Sequence, residues 1–483
     1  MVKRNKELLV FALIIISILL LYVLYVSSFM NLILRIIFAF LLLIFVGLKI
    51  QNVIGASGGY GLYMMGSKKG LNVIDNLSKN HKTFWEVMAV WGLTLGFGLL
   101  SYPLLKGKID KRIYVFGIIS IILIMLFVLP YIANSFQFIN LPRLQNALST
   151  SQSQPQTGLS AISSYVTLGI TIFAGFTGSI FYSIILNSES ILASIVLYVV
   201  NPSLGAAGSG IASQIPGVAP VIPGIDIPLL AGVISLALLL IIHEFSHGVL
   251  ARTAKVKLKS IGLLVFGFIP IGGYVEPDEK MVDKLNSTKQ TNIFSAGIAA
   301  NFLAMIIFFV LVVIFTTYVI PSAIPYKVLV SGTSPNYPAN NILKSGMQVL
   351  KWNNYSVNNI TTLTKAAAQD RPNGTVTVVT NNGTYAFKAV TSPSNSSKGV
   401  IGVMLAYKPV LSTPYEKVIY FFYTLFSLSL LLNFLVAVVN LLPIPGFDGY
   451  RIYRANIKNT FFVNALGAFI IIMILVNVLP WLF

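Results

Sequence analysis

The chain has 483 residues, 56% hydrophobic and only 10% charged, with 33 Lys and Arg against 14 Asp and Glu, a net charge of +19 and no cysteine. A soluble domain carries about 25% charged residues, so an ordinary soluble protein is excluded, and the lack of thiols excludes disulfides and any thiolate metal site. The basic residues gather in loops beside apolar runs, where they orient membrane helices and meet anionic lipid, so nucleic acid is not an expected partner.

Runs of roughly 20 apolar residues, the length that crosses a hydrocarbon core, recur along the chain. Residues 1–7 are basic and precede a long apolar run without a clear small-residue cleavage site, which predicts a retained signal anchor. Residues 8–25 and 32–48 are expected to form a membrane hairpin. The Gly-, Lys- and Asn-rich residues 51–82 are expected to form a loop. Residues 84–105 and 113–132 are the next apolar runs, and the polar Ser/Gln/Pro stretch 134–160 is expected to be a surface loop. Residues 161–200 are long enough for two short helices turning near residues 187–189. Basic loops at 68–82 and 106–112 flank one apparent span, so the topology of the first 200 residues stays open.

Residues 201–228 are too rich in Gly and Pro for a regular helix. Pro228 suits a helix first turn, and residues 229–251 then predict a strong spanning helix. Arg252, Lys255, Lys257 and Lys259 place its C-terminal end in the cytoplasm. Residues 261–275 alternate Gly with apolar and β-branched types, as a hairpin or re-entrant segment would. Residues 293–320 form the next span, running outward. From 321 to 407 the chain turns polar, with short β-like runs at 327–330 and 375–379, which predicts a small soluble domain on the outer side. Its Asn-x-Ser/Thr acceptors at Asn354, Asn359, Asn373, Asn382 and Asn395 add mild support. Residues 418–442 return inward and 461–483 form a last span. Together these features hint at a multi-pass protein of a prokaryotic, even archaeal, cell membrane.

One pentapeptide stands out: His243-Glu244-Phe245-Ser246-His247. Histidines at i and i+4 project from one face of a helix, near enough to share one zinc, with Glu244 placed to act as general base. Two of the chain's three histidines fall here, directly after an uncharged apolar run, and ionisable groups in a membrane helix default to a functional reading. The blander reading is a pair of packed, hydrogen-bonded histidines. A catalytic zinc usually takes three protein ligands. Most of the acidic residues lie in polar loops, but Asp448 follows an apolar run broken by Pro443, Pro445 and Gly446. Irregular backbone at membrane depth is tolerated only where it is buried or lines a wet cavity. Asp448 is therefore a candidate third ligand; alternatively it caps a turn before Gly449.

These motifs resemble the site-2 protease family of intramembrane metalloproteases: the His-Glu-x-x-His helix, the segment Asn440 to Gly449, with Phe447 where that family often has Leu, and Gly297-Ile-Ala-Ala-Asn301. The Ile271-Gly-Gly-Tyr-Val275 segment resembles the membrane-embedded β-hairpin of these enzymes. Residues around Ser334-Pro335, Leu343 to Leu350, Asn353-Asn354 and Val357 resemble a PDZ domain, which would bind a peptide C-terminus or act as a size filter.

The resemblance implies a polytopic α-helical membrane protein with a membrane-embedded β-hairpin and a small inserted α/β PDZ-like domain. Its parts would be residues 1–200 of unassigned role, a protease core at 201–320, the PDZ-like domain at 321–408, and a last core segment at 409–483. It further implies Zn²⁺ held by His243, His247 and Asp448, Glu244 as general base, Asn440 binding substrate backbone or the developing oxyanion, and transmembrane proteins as substrates. For Asn440 the alternative is a polar group satisfying a helix C-terminus, and for Asn301 it is close helix packing. A transporter or channel with a structural or regulatory zinc would explain the many spans and the unassigned N-terminal region, but a structural site would not need Glu244; an inactive scaffold is a second alternative.

Overall fold

The computed structural model describes residues 2–26, 32–67, 70–106, 109–141, 158–200, 214, 216–219, 221–357, 360–393 and 395–482. Asn359, most of the loop expected at 134–160 and the first part of 201–228 lie outside them. Among the described residues, eight helical segments are long and apolar enough to cross a membrane: Ile37–Ile54, Lys82–Leu104, Lys111–Phe138, Ser163–Val200, Leu229–Thr253, Ser287–Ala323, Pro414–Val439 and Thr460–Trp481. The chain divides into two compact units, residues 1–310 with 425–483, and residues 311–424.

In the larger unit, α1 (Val2–Val26) and α2 (Leu32–Ile54) pack together as the expected hairpin. Residues 51–82 are not a loop. They form β1 (Ser57–Gly59), β2 (Leu62–Ser67) and α3 (Leu71–Asn80). β2 pairs antiparallel with β3 (Leu258–Phe266), Leu62 opposite Phe266 and Ser67 opposite Ile261, and β3 pairs with β4 (Ile269–Pro277). The four-stranded sheet thus runs β1-β2-β3-β4, and the hairpin read at 261–275 forms the half that ends at the edge strand β4. The short β2, in a loop-like stretch, carries little strand signal of its own; its partner lies about 200 residues downstream, and that pairing makes it a strand.

Next come α4 (Lys82–Phe97), α5 (Ser101–Leu104), α6 (Lys111–Leu123), α7 (Leu129–Ser135) and α8 (Gly158–Val200). α8 breaks at Gly175 (φ 65°), not near residues 187–189, which stay helical. The break follows from packing: a Cβ on Gly175 would lie 2.2 Å from the Gly96 carbonyl oxygen, so α8 bends where it meets the end of α4. α4 in turn presses on the helix α11 (Ser287–Ile314), where a Cβ on Gly92 would lie 2.3 Å from that of Ala299. Around these run α9 (Leu229–Thr253), α10 (Glu279–Asp283), α14 (Pro414–Val439), α15 (Asp448–Asn456) and α16 (Thr460–Val478).

The second unit holds α12 (Ile320–Ala323), strands β5 (Tyr326–Thr333) to β12 (Val403–Pro409) and α13 (Ile360–Ala367). Its main sheet has the order β12-β5-β6-β8-β9, with β6 at Gln348–Trp352, β8 at Thr375–Thr380 and β9 at Gly383–Lys388. Val328, Val349, Trp352, Leu363, Val376 and Phe387 fill its core. β5 pairs with β12 so that Tyr326 lies opposite Pro409, which brings the first and last residues of the sheet-forming segment together.

α3 is clamped to the end of α9. Ile74, fully buried, packs with Val249 and Leu250, and Arg252 donates from Nε to Asp75 Oδ1 (2.5 Å) and from Nη2 to Oδ2 (2.8 Å). This hydrogen-bonded fork holds the Asp75 carboxyl below the usual carboxylate range. A depressed folded-state pKa contributes stability above the unfolded value, lost as pH falls through the folded one. Asp75→Ala is therefore expected to cost about 1 kcal/mol at neutral pH, for a partly exposed bidentate pair. Thermal unfolding of both proteins should show the gap at neutral pH and its closure on acidification. Equal midpoints at neutral pH would remove the clamp from the account.

Candidate metal centre

The α9 sequence places His243 and His247 one turn apart on the same face. Their imidazole Nε2 atoms are 3.2 Å apart, and each faces the same carboxylate oxygen, Asp448 Oδ2, at 3.1 Å from His243 and 3.2 Å from His247. His243 is buried, only 6% exposed, and His247 and Asp448 are half-buried. Among the described residues these three form a group that could hold a metal ion.

Asp448 reaches the pair because α14 ends abruptly. Pro443 and Pro445 stop the helix, and the Gly449 N–H returns to donate to the Asn440 carbonyl (2.7 Å). A Cβ on Gly449 would lie 2.2 Å from the Leu441 carbonyl oxygen, so this tight return needs glycine. Asp448 then opens α15 and points its carboxylate at α9.

The far nitrogens of both rings are held. His247 Nδ1–H donates to the Ile293 carbonyl (2.7 Å), which leaves Nε2 with its lone pair free for a ligand bond. The Asn301 amide nitrogen stands 3.1 Å from His243 Nδ1, while its buried Oδ1 has no partner among the described residues. Turning that amide by 180° brings Oδ1 to accept from Nδ1–H. Asn301 thus touches a histidine of the group as well as lining a helix contact. Ile293 carries no sequence signal, since its carbonyl does the holding.

The donor set fits zinc. Two neutral imidazole nitrogens and a carboxylate oxygen are its usual oxygen and nitrogen ligands, and ligands at about 2.0–2.1 Å in a tetrahedron lie about 3.3 Å from one another. The observed triangle has sides of 3.1, 3.2 and 3.2 Å. A zinc ion there would also offset the burial of a carboxylate between two imidazoles.

Glu244 stands outside the triangle, half-buried, on the side facing β4. A Cβ on Gly273 would lie 3.9 Å from Glu244 Cγ, so the strand passes Glu244 with no side chain between. Asn440 brings its Nδ2 to 3.4 Å from His243 Nε2. All five residues singled out in the sequence therefore converge on one place.

The fold and this donor set define a class: a multi-pass integral membrane protein with a candidate metal centre between its helices. The sequence model of Peptidase family M50 matches residues 231–479, more than half of the chain, and the chain belongs to that family. Over 235 residues it is 28% identical to an uncharacterized protein of Methanocaldococcus jannaschii, covering 47% of this chain and 58% of the other. Over 194 residues it is 27% identical to a Clostridium acetobutylicum protein named "Putative zinc metalloprotease", covering 35% of this chain and 55% of the other. The chain thus spans little more than half the length of either relative.

The closest packing at the centre is on Gly297 of α11. A Cβ there would lie 2.5 Å from His243 Cε1 and 2.5 Å from His247 Nε2, distances no real Cβ tolerates. Gly297→Ala must push the rings apart while leaving the rest of the helix in place. It is expected to weaken zinc binding on the order of 10–100-fold, as loss of ligand-orienting contacts does, with helix content unchanged. Chelator competition on the purified protein, with circular dichroism alongside, measures both. Wild-type affinity would show that the rings do not rest on this glycine.

Proposed function

We propose that the protein is an intramembrane zinc metalloendopeptidase that hydrolyses peptide bonds of membrane-spanning substrates. The observation that carries this reading is the convergence of His243, His247 and Asp448 beside Glu244, at the end of an apolar helix and along a strand with a free edge. A metal held only for structure would not call for an acidic side chain beside it but outside the ligand set.

His243, His247 and Asp448 would hold the ion. Zinc in such a site lowers the pKa of water towards ~7 and polarises a carbonyl oxygen. Glu244 takes the proton that water loses as its oxygen bonds to the scissile carbonyl carbon. It then delivers that proton to the amide nitrogen as the C–N bond breaks, so the products are a carboxylic acid and an amine. Asn440, with its Nδ2 aimed into the site, donates to the carbonyl oxygen as negative charge develops there.

A membrane helix has its amides paired and must unwind before it can be cut. Among the described residues β4 pairs with β3 alone, so its other edge offers backbone groups to such a strand. The residues that edge would bring past Glu244 face Gly272 and Gly273, which leave room for a second backbone. We read this sheet as the membrane-embedded hairpin of the family. β2 covers the opposite side of the hairpin, so substrate can add along β4 alone.

The second unit fits a PDZ-like domain. β12 is the edge strand of its sheet, and a cavity of about 520 Å³ lies beside it, lined by Leu363 and Ala367 of α13 and by Ile401, Val403 and Leu405. An extended peptide C-terminus would add to β12 there.

Glu244→Gln is expected to retain zinc and lose cleavage of a single-span substrate by at least about a hundredfold, the usual share of a general base. Asp448→Ala is expected to lose both zinc and activity. Metal analysis and a cleavage assay on the same preparations decide the matter. A fully active Glu244→Gln protein would sink the mechanism, and an Asp448→Ala protein with wild-type zinc affinity would remove Asp448 from the ligand set.

Because Tyr326 and Pro409 are paired, a short linker can replace the sheet between them at modest entropic cost. That deletion is expected to keep zinc. A filtering role expects it to cut substrates with large ectodomains that the intact protein refuses. Loss of zinc from the folded deletion protein would contradict the domain division.

A further inference from the structure

At one end of the larger unit, a cleft of about 200 Å³ opens between three helices, lined by Lys82, Lys255, Lys289, Leu250, Asn292 and Ile293. α4 begins at Lys82, α9 ends at Thr253 and α11 begins at Ser287, and each of these is also the end of an apolar span. The cleft therefore sits where three spans stop, the depth at which lipid headgroups lie. Its floor is apolar, with Leu250 and Ile293 each 2% exposed, while its rim is cationic. Glu86, also on the rim, is 3.7 Å from Lys82. Three lysines less one glutamate leave two positive charges, and among the described residues neither Lys255 nor Lys289 has a salt-bridge partner.

Two details mark the cleft as more than a basic surface. Lys255 has φ 66°, in the left-handed position after a helix end where glycine is usual. It is fixed there by the bonds from its own N–H to the Arg252 carbonyl and from the Val256 N–H to the Ala251 carbonyl, both 2.9 Å. That turn places the exposed Lys255 on the rim of the cleft. Asn292, meanwhile, buries its Oδ1 without any partner among the described residues. Asn292 lines the cleft, and a turn of its side chain toward the opening would present the amide N–H to a phosphate oxygen.

We propose that this cleft binds the phosphate of an anionic membrane lipid, held by Lys82, Lys255, Lys289 and the Asn292 amide, with its acyl chains against the neighbouring spans. The apolar floor and the depth favour a lipid over free phosphate. The position matters for the centre, since Ile293 in the cleft wall is the residue whose carbonyl receives His247 Nδ1–H.

Native mass spectrometry of the full chain released from detergent, offered phosphatidylglycerol, phosphatidylcholine or inorganic phosphate, tests this without any cleavage assay. The wild type is expected to retain phosphatidylglycerol over phosphatidylcholine. Lys255→Gln with Lys289→Gln should weaken that retention by roughly tenfold or more, from two lost headgroup contacts. The charge-matched pair Lys280→Gln with Lys284→Gln, exposed and outside the cleft, should retain it like the wild type. Equal retention of the two lipids, an equal loss in the control pair, or displacement of the lipid by inorganic phosphate would overturn the proposal.

Discussion

Everything in the larger unit is arranged around one oxygen. Asp448 Oδ2 lies within 3.2 Å of both His243 and His247, although about 200 residues separate it from them. Polar and ionisable groups at such depth are costly unless paired or bound to a metal. The chain meets that cost with close backbone packing. Gly297 lets α11 lie against both rings, and Gly449 lets the broken end of α14 fold back. The Ile293 carbonyl and the Asn301 amide fix the two rings from behind. A larger residue at either glycine would separate groups that are useful only together.

The first 200 residues act as a buttress for this arrangement. β2 extends the β3–β4 hairpin, α3 clamps the end of α9 through Asp75 and Arg252, and α4 presses on α11. α8 bends at Gly175 to lie against the end of α4, and its Phe176 packs tilted against Phe302 of α11 and edge-on against Phe434 of α14. The segment of residues without any recognisable motif is thus what holds the motif-bearing helices in place. At Gly92 and Gly175 small residues permit the close approach of membrane helices.

The sequence was legible where the physics is local. Apolar length marked the spans, helical periodicity put His243 and His247 on one face, and proline and glycine marked the break before Asp448. The inserted unit showed itself through its polar composition and the strands at 327–330 and 375–379. What could not be read depends on partners far along the chain. β2 is a strand because β3 is there, and 51–82 alone looks like a loop. The bend of α8 lies at Gly175 because Gly96 is its neighbour, while the polar residues near 187–189 proved compatible with helix: Asn187 bonds across to Asn477 of α16. Gly297 was visible as part of a motif, yet its steric role emerges only when the imidazoles lie over it. Ile293 was invisible because a backbone carbonyl has no residue signature.

His243, His247 and Asp448 would together bind one zinc ion. X-ray absorption at the zinc edge on the purified protein tests it most directly. The account predicts one zinc per chain, with two imidazole shells and oxygen ligands at about 2.0–2.2 Å and no sulfur shell from the cysteine-free chain. A spectrum with fewer than two imidazoles, or a folded protein that takes up no stoichiometric zinc, would contradict it.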